Sequence, residues 1–301
     1  MHLGGIRWLA FSPDGRYLSC TDGSGENTIW DFSEDAYRVA ILKPTKFEFR
    51  NCAWSPDGTL LASCTGDGAL VLWDMETFQE CHRTEGPGLS FGDFHIHLIT
   101  FSPNGHWLAT SQEGHICLIW NAPSGTLHKK LHGHTDDLEA AAFDPTSTRI
   151  ATASNDMMVW IWVVETGELL FVMEKHIGRV RDVSFSSDGS LVLSASSNRS
   201  VKTWIAPTGV MISSLEGHPH CVFAACFSPC GMYIALASAD RTVGLWRTSN
   251  GSCIGTFAEH MDWVRHVTFS PDGKTLSSGA DDGSVFIRQM ADILCTEKSD
   301  I

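Results

Sequence analysis

Short stretches in which apolar and polar residues alternate, each closed by a turn, run the length of the chain. Arg149-Ile-Ala-Thr-Ala-Ser154 shows the pattern: the alternating stretch meets a turn at Asn155-Asp156, and a second alternating stretch ends on Trp162. Period-two alternation bounded by turn residues marks half-buried strands. A Pro/Asp/Gly turn lies ahead of the alternating stretch, and the polar turn Glu165-Thr-Gly167 leads after the Trp into a short apolar run from Leu169 to Met173. Each unit is therefore predicted to hold four antiparallel strands in about 42 residues.

The unit repeats. FSPDG at Phe11 returns as WSPDG at Trp54, FSPNG at Phe101, FDPTS at Phe143, FSSDG at Phe185, FSPCG at Phe227 and FSPDG at Phe269, at intervals of 43, 47, 42, 42, 42 and 42 residues. A second landmark follows 19 residues after each, at Trp30, Trp73, Trp120, Trp162, Trp204, Trp246 and Arg288. One four-stranded unit cannot bury both of its faces, so neighbours must cover them, and a ring removes the exposed ends. The expected architecture is all-β, one domain of seven repeats at about 2–44, 45–91, 92–132, 133–174, 175–216, 217–258 and 259–297.

A period near 42 residues, Gly-His before the first strand at Gly133-His134 and Gly217-His218, and Trp-Asp ending the third at Trp30-Asp31 and Trp73-Asp74 together resemble the WD40 family across the whole chain. Later repeats replace that Asp with Asn121, Val163, Ile205, Arg247 and Gln289. The near-uniform spacing is similar to that of WD repeats in fungal NLR-like proteins. The resemblance implies a seven-bladed β-propeller and, in each well-formed blade, a hydrogen-bonded tetrad. The matching residues are His134, Ser154, Asp156 and Trp162 in blade four, and His218, Ser238, Asp240 and Trp246 in blade six. It also implies a partner-facing top. Family offsets place there Arg7, Arg50, His95, His97, Asp137, Glu139, Arg179, Arg181, Phe223, Trp263, Arg265 and Asp281. Arg7, Arg50, Arg181 and Arg265 would ring the channel mouth as a focus for carboxylate or phosphate, unless paired with nearby acids such as Glu48 and Asp281. Trp263 and Phe223 are the candidate interface anchors. Five extra residues around 85–92 lengthen the approach to blade three, with Phe91, Phe94, His95 and His97 able to make contacts.

Charge and chemistry narrow the function. A formal charge of −14, with 21 Lys and Arg, argues against nucleic acid as the main partner. Ten cysteines without a CxxC pair read as small core residues in a reducing compartment, and no apolar run approaches the ~18 residues that cross a membrane. A cytoplasmic or nuclear location is the expectation. Ser, His and Asp recur together at a fixed blade offset with an indole, which reads as a structural network rather than a hydrolytic triad. His218, His220, Cys221, Cys226 and Cys230 have separate places in the repeat, so neither metal nor cofactor is expected. Only Met1 precedes His2, so Ile293-Leu-Cys-Thr296 must supply the fourth strand of blade seven, or that strand is absent. The expected function is a monomeric, non-enzymatic scaffold for proteins or peptides. The alternative is a sensor domain of a larger signalling protein that reads anionic ligands.

Overall fold

The computed structural model describes residues 4–33, 37–43, 49–65, 69–84, 98–112 and 115–296. They form seven antiparallel sheets, six of four strands and one of three, and within each sheet the strands pair in sequence order. Blade four is typical. Its inner strand Leu138–Phe143 pairs with Arg149–Ser154, which pairs with Val159–Val163 and then the outer strand Leu169–Met173, with Ala151 standing between Ala142 and Ile161. The repeated FSPDG phrase makes the first turn of each blade. In blade five Ser186 Oγ donates to Asp188 at 2.6 Å, the Asp188 carboxylate accepts the Ser190 N–H at 3.0 Å, and Gly189 takes the left-handed conformation at φ 70°.

The sheets stack face to face, so the core lies between blades. Ala151, Ala153, Val159, Ile161 and Met173 of blade four pack on Val180, Val183, Val192 and Trp204 of blade five. The same contact closes the ring: Ile6, Leu9, Leu18 and Cys20 of blade one form a buried cluster with Val285 of blade seven against it. Two glycines permit the approach. A Cβ on Gly279 would lie 2.4 Å from Ile6 Cγ2, and one on Gly5 would lie 2.6 Å from the Asp281 Cα.

Blade seven departs from the pattern. Its strands Val264–Phe269, Thr275–Ala280 and Val285–Gln289 are followed by a helix, Met290–Thr296, and no fourth strand pairs with it among the described residues. Of the two expectations, a strand supplied by Ile293-Leu-Cys-Thr296 or no strand, the described residues show the second, with the segment in a helix. Met290, Ile293 and Leu294 explain the helix. Their spacing puts all three on one helical face, where Met290 and Ile293 enter the core shared by blades six and seven and Leu294 packs beside them.

Candidate interaction site

Antiparallel pairing places the start of each inner strand, the turn between second and third strands and the end of the outer strand at one end of the ring. That end is the top face, and a buried network holds its loops. In blade four His134 Nδ1 meets Asp156 Oδ2 at 2.6 Å, and His134 Nε2 meets Thr152 Oγ1 at 2.9 Å. The indole N–H of Trp162 donates to the same hydroxyl at 2.9 Å. Burial opposes ionisation of Asp156, but hydrogen bonds from His134 and from the Thr135 and Met158 N–H groups prevail and hold its carboxyl below the usual range. The expected hydroxyl was Ser154. That residue instead donates to the Asp136 carbonyl at 2.9 Å and accepts the Asp156 N–H at 3.0 Å, which braces the turn.

The two-residue shift redistributes the networks. In blade six the matching position is Leu236, Ser238 donates to the Cys221 carbonyl, and buried His218 Nε2 has no hydrogen-bond partner. His218 still meets Asp240 at 2.6 Å, so that blade holds part of a tetrad rather than the complete one expected. Blade five, with Asn198 in the Asp place, keeps the hydroxyl: Ser194 lies 2.7 Å from His176 Nε2 and 2.8 Å from the Trp204 indole nitrogen. Burial, reinforced by nearby Lys202, lowers His176 to about 4, so its ring is neutral. In blade seven Arg288 takes the tryptophan's role. Its Nη1 donates to Ser278 Oγ at 2.8 Å, Ser278 also meets His260 Nε2 at 2.8 Å, and the guanidinium pairs with Glu259.

Five of the twelve residues expected on the top face converge. Arg7, Glu139, Arg181, Phe223 and Arg265 line a cavity of about 220 Å³ at the channel mouth, together with Trp8, Asn51, Asp182 and His266. Two of the arginines are held by carboxylates. Arg181 Nη1 donates to Glu139 Oε1 at 2.7 Å, and Arg265 grips Asp281 with Nε at 2.9 Å and Nη2 at 2.6 Å. Arg265 also lies 4.4 Å from the Phe223 ring centroid and 4.9 Å from that of Trp263, and the two rings are 5.9 Å apart. Asp281 occupies the Arg265 fork that an incoming anion would need, while Glu139 takes only Nη1 of Arg181 and leaves its buried Nε without a hydrogen-bond partner, so the mouth is a braced aromatic and guanidinium platform. Arg7 is exposed. Arg50 stands on the strand Phe49–Trp54, and the side chain of Arg50, with His95, His97 and the insertion around 85–92, lies outside the described residues.

Asp137 and Arg179 stand apart from the cavity. Asp137 Oδ1 meets His115 Nδ1 at 3.1 Å in an exposed pair, and with Asp136 these groups bring ligand atoms within 4.8 Å of one another. Arg179 is exposed, and its carbonyl accepts the Ser197 N–H. The mixed His/Cys set is dispersed: Cys226 donates to the Val267 carbonyl, while Cys230 meets Ser228 in a turn on the opposite face.

Family offsets pointed to the mouth and missed the throat, one residue further along each inner strand. Trp8 and His266 pack there with ring centroids 4.1 Å apart and planes tilted by 45°. Burial lowers His266 to about 3, so its ring is neutral, and its Nδ1 has no hydrogen-bond partner. Asp182 accepts the N–H groups of Ala225 and Val183 at 2.8 Å each, yet enclosure by the channel wall outweighs both and pushes its carboxyl up to about 7. The available signal was adjacency: Trp8, Asp182 and His266 directly follow Arg7, Arg181 and Arg265 on their inner strands.

Seven like blades around a channel, with the top loops of blades four to seven fixed by His-centred networks, define a β-propeller built from a repeated four-stranded unit. The model of the WD domain, G-beta repeat, matches residues 1–31, 39–74, 92–121, 125–163, 167–204, 209–247 and 251–288, and the chain belongs to the WD40 family. WD40 propellers generally act as protein-interaction scaffolds. Compared with curated protein sequences, the chain finds no match.

Proposed function

We propose that this propeller is a non-enzymatic scaffold that receives a protein or peptide partner on its top face, over blades six and seven. One observation carries the reading: Trp263 is 46% exposed while its surroundings are fixed, with Arg265 clamped against Asp281 and between the rings of Phe223 and Trp263. A large aromatic that is already ordered loses little entropy when it is buried, which is how a few Trp and Arg residues come to dominate interface energy. Met261, 79% exposed in the same loop as Trp263, adds aliphatic surface, as does Ile177, 83% exposed in the corresponding loop of blade five. The polar clusters that resemble catalytic sets are used to brace loops, which supports a binding role without turnover. A cytoplasmic, monomeric platform is the setting proposed. Capture from a cell lysate, with tagged wild type against Trp263→Ala and Arg265→Ala, tests it. Proteins retained by wild type should be lost from both variants, and an unchanged set would refute a top-face site.

A further inference from the structure

Beyond the top face, we propose that the outer rim of blades four and five is a second docking surface, fitted to an amphipathic helix that carries aliphatic side chains flanked by Lys or Arg. Exposed apolar side chains concentrate on this rim. Of the fifteen exposed large hydrophobic side chains among the described residues, six stand on two adjacent outer strands: Leu169, Leu170 and Val172 in blade four, and Val210, Met211 and Ile212 in blade five. The surface is continuous, because Gly209 at the head of the blade-five strand packs on Phe171 of blade four, where a Cβ would lie 3.0 Å away.

The repeat supplies its own controls. The outer strand of blade two carries an Arg83–Glu80 ion pair, and that of blade three carries Lys129 and Lys130. In blade six the corresponding Ile254 and Phe257 are half-buried. An exposed apolar edge strand invites association unless it is covered, and charge, bulges or shortness ordinarily prevent this. Here charge is missing from both strands while the bulge is present. The register passes from Phe171 to Leu169 opposite Ile161 and Trp162, and from Ser213 to Met211 opposite Thr203 and Trp204. Leu170 and Ile212 are therefore left out of the ladder. A disrupted ladder is a poor template for an added strand, whereas two aliphatic side chains projecting from it suit the ridge of a helix.

Charge selects the partner. Glu165, Glu168 and Glu174 beside the blade-four strand and Glu216 at the end of the blade-five strand are exposed, and none forms an ion pair with a described residue. A second copy of this chain would bring the same acidic fringe and a further formal charge of −14, so a basic partner is favoured over self-association.

The test measures binding of two labelled synthetic helices to the purified full chain by fluorescence anisotropy: one with Leu on one face and Lys elsewhere, the other with Glu in place of Lys. The Leu/Lys helix should bind wild type at least tenfold more tightly than Leu170→Thr/Ile212→Thr, whose fold is checked by circular dichroism. It should also bind severalfold more tightly than Glu168→Gln/Glu174→Gln, and Trp263→Ala should bind as wild type does, which separates this rim from the top face. Equal binding to wild type and the Thr variant, or equal binding of the Leu/Glu helix, would overturn the proposal. So would a wild-type dimer in sedimentation that the Thr variant abolishes, since a second copy would then be the occupant, or rim-dependent cosedimentation with phosphatidylcholine vesicles.

Discussion

Thr152 shows how much can turn on a single hydroxyl. Its oxygen is the meeting point of the His134 ring and the Trp162 indole, both buried, and no other group in blade four serves both. Thr152→Val keeps the shape and strands two donors or acceptors, so a loss of ~1–3 kcal/mol in chemical denaturation is expected, and an unchanged midpoint would contradict the network. The sequence pointed to Ser154 for a physical reason. Residues two apart on a strand share a face, so alternation cannot distinguish them, and both are hydroxylated in this blade. Blade six breaks the tie only in the structure, where Leu236 leaves His218 Nε2 without a partner. Asp182 offers a second test. Its native carboxyl titrates near 7 against 3.8 for the free group, so the native state holds the extra proton and stability falls as pH rises from about 4 to about 7. Asp182→Asn should therefore gain in melting temperature over wild type on going from about pH 5 to about pH 8. His266 acts in the opposite direction: its native ring resists protonation down to about 3, so its contribution is lost as pH falls below 6.5.

At the scale of elements, the junction of blades one and seven is where the repeat is least regular. The inner strands meet there as they do elsewhere, but Gly279 makes room for Ile6, and the third strand of blade seven has no described fourth strand beside it. Gly279→Ala would drive a methyl into Ile6, at an expected loss of ~1–3 kcal/mol read by thermal denaturation. Hydrogen exchange should find the amides of Val285–Gln289 less protected than those of Val159–Val163, the equivalent strand of blade four, and the reverse order would count against a weak seam. Strand number, order and turn chemistry were legible because a fixed interval between landmarks leaves few alternatives. The terminal helix was not. Ile293-Leu-Cys-Thr296 is as apolar as an outer strand, and only the burial of Met290 with Ile293 on one side reveals the helical spacing.

On the scale of the molecule, an acidic body with a formal charge of −14 presents two unlike surfaces, a braced aromatic platform on top and an uncharged aliphatic rim at blades four and five. Family offsets found the first, because the top face is built from positions that recur in every blade. The second was hidden, since outward-facing apolar residues on an outer strand look in sequence like any other strand. The arginine ring was partly legible: Arg7, Arg181 and Arg265 do share one cavity, and Asp281, an acid the sequence offered, holds Arg265 within blade seven, but the Arg181–Glu139 pair joins blade five to blade four, a relation that spacing along the chain does not encode. Site-specific photo-crosslinking tests the central claim most directly. A photoreactive amino acid placed at Trp263 is compared with one at Met232, which is 58% exposed on the opposite face. Covalent adducts with a protein partner at position 263 and none at 232 are the expected result; adducts at 232 alone, or equally at both, would contradict a top-face scaffold.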